Sequence, residues 1–238
     1  MFNRKLKKKN QERNSMVDGV GIITVADPKS VISEEFNTIR TNIQFANVDN
    51  NTSSLMITSS NMSEGKSTIS ANLATAFARQ GRKTLLVDAD LRRPTLAATF
   101  QISQTVGLTN YLSDTNSGVK DIVYPTSLSN FSVVPSGPIP PNPSELLGSN
   151  RMKQLIEILT SKADVIIYDA PPVLAVTDAQ ILASQVDGTI LVIRENKTQK
   201  KEITEAVSLL KHVNANILGT IMNDSKQTSD GYYGYYGK

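Results

Sequence analysis

Leu-Met-Ile-Thr-Ser-Ser-Asn-Met-Ser-Glu-Gly-Lys-Ser-Thr, residues 55–68, decides the fold. Leu55–Ile57 reads as a short buried strand, small residues then break it, and Ile69–Arg79 carries apolar residues at helical spacing. Gly65-Lys66-Ser67-Thr68 is the second half of a phosphate-binding loop signature. In such a loop backbone N–H groups wrap the phosphates, the lysine reaches the β and γ oxygens, and a hydroxyl ligates Mg²⁺. Ser60 stands where the general pattern has its first glycine. A helix starting at Lys66 aims the positive end of its dipole at an anion held in the loop. A Gly-Lys-Ser turn ahead of an ordinary helix is the alternative on these residues alone.

Downstream, Gln80-Gly81-Arg82 stops that helix and Lys83–Val87 reads as a second buried strand. It ends in Asp88-Ala89-Asp90-Leu91-Arg92-Arg93-Pro94. Carboxylates at the carboxyl end of a parallel strand beside a phosphate loop lie where a metal ion and a nucleophile need them. Of two acids one residue apart, one can handle metal while the other orients or deprotonates a hydroxyl. Arg92 or Arg93 can pair with these acids or with phosphate, and a merely polar strand end is the bland alternative. Ala163–Asp169 repeats the pattern, so Asp169 takes the place of a Walker B acid, and Pro171 and Pro172 end the strand because neither can donate to a ladder.

The remaining pattern alternates. A helix is expected over Thr105–Ser113, a strand over Asn130–Val134, a helix over Ser149–Leu159, another over Asp178–Gln185, a strand over Gly188–Ile193, a helix over Lys200–His212 and a last strand over Ile217–Met222. Five prolines between Pro135 and Pro143 make a stiff surface loop, with an SH3-type ligand as the other reading. This alternation predicts a three-layer α/β/α P-loop NTPase fold with a mostly parallel sheet, in which Ser67, Asp88, Asp90 and Asp169 converge at the strands' carboxyl ends.

Composition narrows the chemistry. The 238 residues contain no cysteine, which excludes disulfides, thiolate metal sites, iron–sulfur ligation and cysteine nucleophiles. The one histidine, His212, is expected on a helix surface, so a histidine triad or zinc site is not expected. No apolar run approaches the ~18 to 20 residues that cross a bilayer, and no signal-peptide core is present, so an intracellular, soluble protein is expected.

The net charge of +3 is unevenly placed. Residues 4–13 hold six basic side chains against Glu12, which reads as a flexible basic arm over residues 1–19 that touches anionic lipid or nucleic acid, or simply solubilises the chain. Val20–Val25 is expected as a short strand. Ser30 or Ser33 then caps a helix within residues 31–47 whose Phe36, Ile39 and Ile43 share one face. At the other end, four of the seven tyrosines, Tyr232, Tyr233, Tyr235 and Tyr236, lie among glycines in a tail over residues 225–238. Without aliphatic partners they cannot build a core, so this disordered, Tyr-rich tail suggests phosphoryl acceptors, with a stacking surface as the alternative.

The chain resembles the bacterial tyrosine kinases, specifically the separate cytoplasmic kinase polypeptide of Gram-positive capsule and exopolysaccharide systems. The resemblance runs from the Glu34–Phe45 helix to the tyrosine tail and rests on three motifs in order. These are Glu64-Gly65-Lys66-Ser67-Thr68, then Leu85-Leu86-Val87-Asp88-Ala89-Asp90-Leu91-Arg92, then Ile166-Ile167-Tyr168-Asp169-Ala170-Pro171-Pro172. It implies a domain over residues 20–224 that uses ATP and Mg²⁺. The nucleotide would be bound by Ser60, Asn61, Met62, Ser63, Glu64, Gly65, Lys66, Ser67 and Thr68, with Arg92 and, at the adenine, Asn223. Mg²⁺ would be held by Ser67, Asp88 and Asp169, with Lys66, Asp88, Asp90 and Asp169 catalytic.

The four tail tyrosines would be autophosphorylated in trans within a homo-oligomeric ring, an octamer being its candidate size. Glu34 and Arg40 fit the family's oligomerisation motif, whose middle arginine is Asn37 here. Further partners implied are a membrane-bound polysaccharide chain-length protein as activator, other tyrosine-bearing proteins as substrates and a cognate tyrosine phosphatase, but no nucleic acid. The kinase would be cytoplasmic and peripherally recruited to the membrane. A partition or positioning ATPase of the MinD or ParA kind shares the fold. It would carry a lysine at the position held by Asn61.

Overall fold

The computed structural model describes residues 14–46, 53–103 and 106–225. The basic run of residues 4–13 and all four tail tyrosines lie outside the described residues. Three helices come first: α1 (Ser15–Asp18), α2 (Ile23–Ala26) and α3 (Val31–Ala46). The nucleotide-binding half follows as β1 (Ser54–Ser59), α4 (Lys66–Arg79), β2 (Thr84–Asp88) and α5 (Leu96–Thr99). After it come α6 (Leu108–Ser113), α7 (Val119–Ile122), β3 (Tyr124–Pro125), β4 (Phe131–Val134), α8 (Pro143–Leu147) and α9 (Asn150–Thr160). The chain closes with β5 (Val165–Asp169), α10 (Asp178–Ala183), β6 (Gly188–Arg194), α11 (Lys200–His212) and β7 (Ile217–Asn223).

The strands form one sheet in the order β3-β4-β2-β5-β1-β6-β7. Every pairing is parallel except β3 with β4. Its strands are near-continuous apolar runs because both faces are covered. On one face Met56, Leu85, Val87, Ile166 and Tyr168 pack with the helices that follow α5. On the other, Leu55, Ile57, Leu86 and Ile167 pack with the buried side of α4 and with Phe36 and Ile43 of α3. Leu55 and Ile57 face one layer and Met56 the other, as the two-residue strand period requires. This is the expected three-layer fold. Among the described residues no helix is long and apolar enough to cross a membrane.

Val20–Val25 is not a strand. The segment crosses α4 instead of reaching a sheet edge, and Asn72 of α4 draws it in. The Thr24 N–H and hydroxyl both donate to Asn72 Oδ1 at 3.1 Å, and Asn72 Nδ2 donates to the Gly21 carbonyl at 2.9 Å. The Thr24 hydroxyl also meets that of Thr75. Within the stretch read as an arm, residues 15–18 fold into α1, capped by Asn14 and packed against α5. The helix expected from Thr105 begins at Leu108, Thr105 itself lying outside the described residues. The two-residue β3 left no pattern to read.

Candidate active site

Strand register brings the acids together. β5 lies between β1 and β2 in the sheet, and Asp88 at the end of β2 lies opposite Asp169 at the end of β5. The loop after β1 turns into α4 through Ser63 at φ 62° and Gly65 at φ 92°. A Cβ on Gly65 would sit 2.1 Å from Asn223 Nδ2, so the loop needs glycine there both for conformation and for room. Glu64 is buried beneath the loop and holds it: its Oε2 accepts the Asn61 N–H at 3.0 Å, and its Oε1 accepts the Thr198 hydroxyl.

At the centre Lys66 Nζ lies 2.8 Å from Asp90 Oδ2 and 3.7 Å from Asp169 Oδ1. Burial works against the ammonium, but the carboxylates of Asp169, Asp90 and Asp88 outweigh it and hold its pKa above the ordinary lysine value. Asp88 Oδ2 accepts the N–H groups of Thr95 and Leu96 at 3.0 and 2.9 Å. Burial, reinforced by the negative Asp169, pushes the Asp88 carboxyl up to about 8. Burial also raises Asp169, against the pull of Lys66 and of hydrogen bonds from Ser67 and Ser70.

Two oxygens in this centre, Asp88 Oδ1 and Asp169 Oδ2, are buried without a hydrogen-bond partner. Orphaned carboxylate oxygens are costly unless something else meets them. With the Ser67 hydroxyl at the head of α4, they form an all-oxygen donor set that fits Mg²⁺. Among the described residues no three acidic or imidazole groups close into a metal cage. That also suits Mg²⁺, which keeps waters and nucleotide phosphates among its ligands.

The cleft above this centre has a volume of about 340 Å³ and reaches from Gly65, Lys66 and Thr68 past Asp90 and Arg93 to Pro172. Met62 and Ser63 lie exposed on its loop side, while Ser60 is buried with its hydroxyl unpartnered. Arg92 reaches this cleft too, but its charge is committed elsewhere than to Asp88 or Asp90. Its Nε and Nη2 bond Asp178 Oδ2 and Oδ1 at 2.9 and 3.0 Å, and Ser144 donates to the same carboxylate at 2.6 Å. Asn223 donates to the Glu64 carbonyl at 2.9 Å, at the back of the phosphate loop. Asp178, Ser144 and Thr198 were invisible as site residues, because no spacing rule joins them to Arg92 or Glu64. Asp178 reads simply as an acidic first turn.

Away from the cleft, the oligomerisation candidates sit on α3. Asn37 links them, donating to Glu34 at 3.2 Å and accepting from Arg40 at 3.0 Å. Arg40 also donates to the Ala76 carbonyl of its own α4 at 3.2 Å.

A mostly parallel sheet with a phosphate loop after β1, and with acids ending β5 beside it and β2 on the far side of β5, defines a P-loop NTPase. The family profile described as ParA, NUBPL iron-transfer P-loop NTPase, matches residues 50–231. Within that class the tyrosine-protein kinase YwqD of Bacillus subtilis is 48% identical over 216 residues, 91% of each chain. The chimerical protein CapA2B2 superposes with a TM-score of 0.81 at 39% identity, covering 84% of this chain and 88% of that one. The kinase domain of the Escherichia coli tyrosine kinase ETK gives 0.84 at 31%, covering 96% and 89%. A MinD septum site-determining protein of Pyrococcus horikoshii is more distant, at 0.61 and 25% over 71% of this chain and 69% of that one. The chain belongs to the bacterial tyrosine-kinase family.

Proposed function

We propose that the chain transfers the γ-phosphoryl group of ATP to tyrosine hydroxyls, first of all those of its own tail, Tyr232, Tyr233, Tyr235 and Tyr236, in trans between subunits. The observation that supports this reading is the acid pair after β2. Asp90 meets the phosphate-loop lysine at 2.8 Å while Asp88, opposite Asp169, keeps one oxygen unpartnered, which gives one carboxylate to the nucleotide side and one to an acceptor.

Roles divide by what each oxygen already holds. Ser67, Asp88 and Asp169 would hold Mg²⁺, which would supply charge neutralisation for the phosphates of the nucleotide. Lys66 leaves Asp90 for those phosphates, and the bared Asp90 Oδ2 accepts the phenol proton as the tyrosine oxygen bonds to phosphorus. The bond to the bridging oxygen breaks and ADP leaves with its electron pair. Asp90 Oδ1, accepting the Arg93 N–H at 3.0 Å, keeps the carboxylate aimed. The rate gain then comes from positioning and electrostatics rather than from a covalent enzyme intermediate.

Ser63 to Thr68 form the phosphate cradle and Asn223 borders it on the side where a base would lie. The kinase would be a cytoplasmic partner of a membrane-bound polysaccharide chain-length protein, recruited and activated by that protein. Support comes from the likeness to the tyrosine-protein kinase YwqD and to the chimerical protein CapA2B2. Glu34 and Arg40 on α3 would face a neighbouring subunit in a ring, and a phosphatase would reset the tail.

Intact mass after incubation with MgATP, with and without the activator's cytoplasmic segment, tests the reading. Steps of one phosphate each, lost in Lys66→Met and in a chain ending at Asp230, are expected. No added phosphate with activator, together with ATP hydrolysis stimulated by membrane or DNA, would instead indicate a positioning ATPase.

A further inference from the structure

Two arginines follow the acid pair, and they differ in what they hold. Arg92 is spent on Asp178. Arg93 is exposed at the rim of the cleft, its backbone N–H fixed on Asp90 Oδ1, and its guanidinium meets only the thioether of Met62 at 3.5 Å. A thioether is a weak acceptor, so among the described residues Arg93 carries a full charge and a donor fork with no anionic partner. It stands three residues from the carboxylate that would receive the acceptor's proton. An anion that Arg93 captures is therefore held at the rim of the cleft that Asp90 also lines.

The tail sequence supplies such anions in a fixed pattern. Ser-Asp-Gly-Tyr-Tyr-Gly-Tyr-Tyr-Gly-Lys places each tyrosine within two residues of another, and Asp230 two residues before the first. Before any transfer, Asp230 is the anion nearest an acceptor. After one transfer, a phosphotyrosine lies beside the next acceptor with up to two charges and three acceptor oxygens. Planar guanidinium donors match phosphate oxygens in pairs.

We propose that Arg93 is a specificity residue that binds the phosphate of an already modified tail tyrosine while its neighbour enters the site. The first transfer is then slow and later ones are fast, so the cluster fills nearly all-or-none. Arg93 does not take part in bond making; it sets which tyrosine cluster is preferred and in what state. This inference rests on the tyrosine-kinase reading above.

The test uses the kinase with its activator segment and two synthetic acceptors, Ser-Asp-Gly-Tyr-Tyr-Gly-Tyr-Tyr-Gly-Lys and the same peptide carrying one phosphotyrosine at its second tyrosine. Transfer is scored by mass. The protein should favour the phosphorylated peptide about tenfold in kcat/KM, the size of one charge-assisted contact. Arg93→Ala should reduce that preference to within about twofold and leave the unmodified peptide within about threefold, and Arg93→Lys should restore part of it. On the full chain, Arg93→Ala should accumulate singly phosphorylated protein where the parent moves on to higher states.

Equal preference in parent and Arg93→Ala overturns the assignment. So does a rise in KM for ATP with peptide preference intact, which would place Arg93 on the nucleotide. If the parent phosphorylates neither peptide nor its own tail, the kinase reading falls and this one with it. Transfer without preference sinks this one alone.

Discussion

Asp88 offers a quantitative test through its proton. In the metal-free protein its carboxyl titrates at about 8, chiefly because it is buried. A carboxyl with that pKa is ionised in about one molecule in ten at pH 7 and in about nine in ten at pH 9. Metal binding needs the ionised form, so the apparent affinity for MgADP should rise about tenfold between those pH values and then level off. Near pH 7 binding should release close to one proton. Isothermal titration in buffers of different ionisation enthalpy counts that proton, and Asp88→Asn should remove the Asp88 share of the pH slope and the release, leaving that of Asp169. Stability should follow the opposite course in the absence of metal. The folded-state pKa lies above the unfolded carboxyl value, so between about pH 4 and pH 8 the folded chain holds more protons than the unfolded one, and stability falls as pH rises through that window. Asp169, raised for the same first reason, adds to the effect with the same sign. Added Mg²⁺ and ADP should flatten the decline. A pH-independent MgADP affinity with no proton release would refute the assignment of Asp88 to the metal.

Gly65→Ala should cost about 2 kcal/mol or more, because φ is 92° and the new methyl meets the Asn223 amide; urea unfolding measures it. Asp178→Ala removes a buried carboxylate from Arg92, which is itself 41% exposed, so a loss of about 2 kcal/mol is expected rather than the full penalty of a buried pair. Thermal unfolding without nucleotide reads it directly. Asn72→Ala should free the segment from Gly21 to Ala26 while the sheet stays folded, seen as new protease cuts there and faster amide exchange at Thr24.

The strand ends were legible because their physics is local. A strand covered on both faces must be apolar throughout, so the first acid after it marks the carboxyl edge, and Asp88 and Asp169 fall in register for that reason alone. The phosphate loop was legible likewise, since a left-handed Gly65 and a helix start are written within a few residues. Contacts that close over long separations were not. Arg92 and Asp178 are 86 residues apart, Glu64 and Thr198 are 134 apart, and Asn223 reaches the Glu64 carbonyl across 159. Each depends on strand order, which a linear pattern does not encode. The Val20–Val25 expectation shows tertiary context overriding propensity: β-branched residues favour a strand, yet Asn72 offers the backbone partners on a helix surface. The same logic bears on α3. Asn37 satisfies both Glu34 and Arg40 within one helix, and Arg40 is further tied to Ala76. Any subunit contact through these residues must therefore exchange bonds already made. In any such assembly, burial of the neighbouring exposed Val31 and Ile32, rather than a new ion pair, would be the source of net gain.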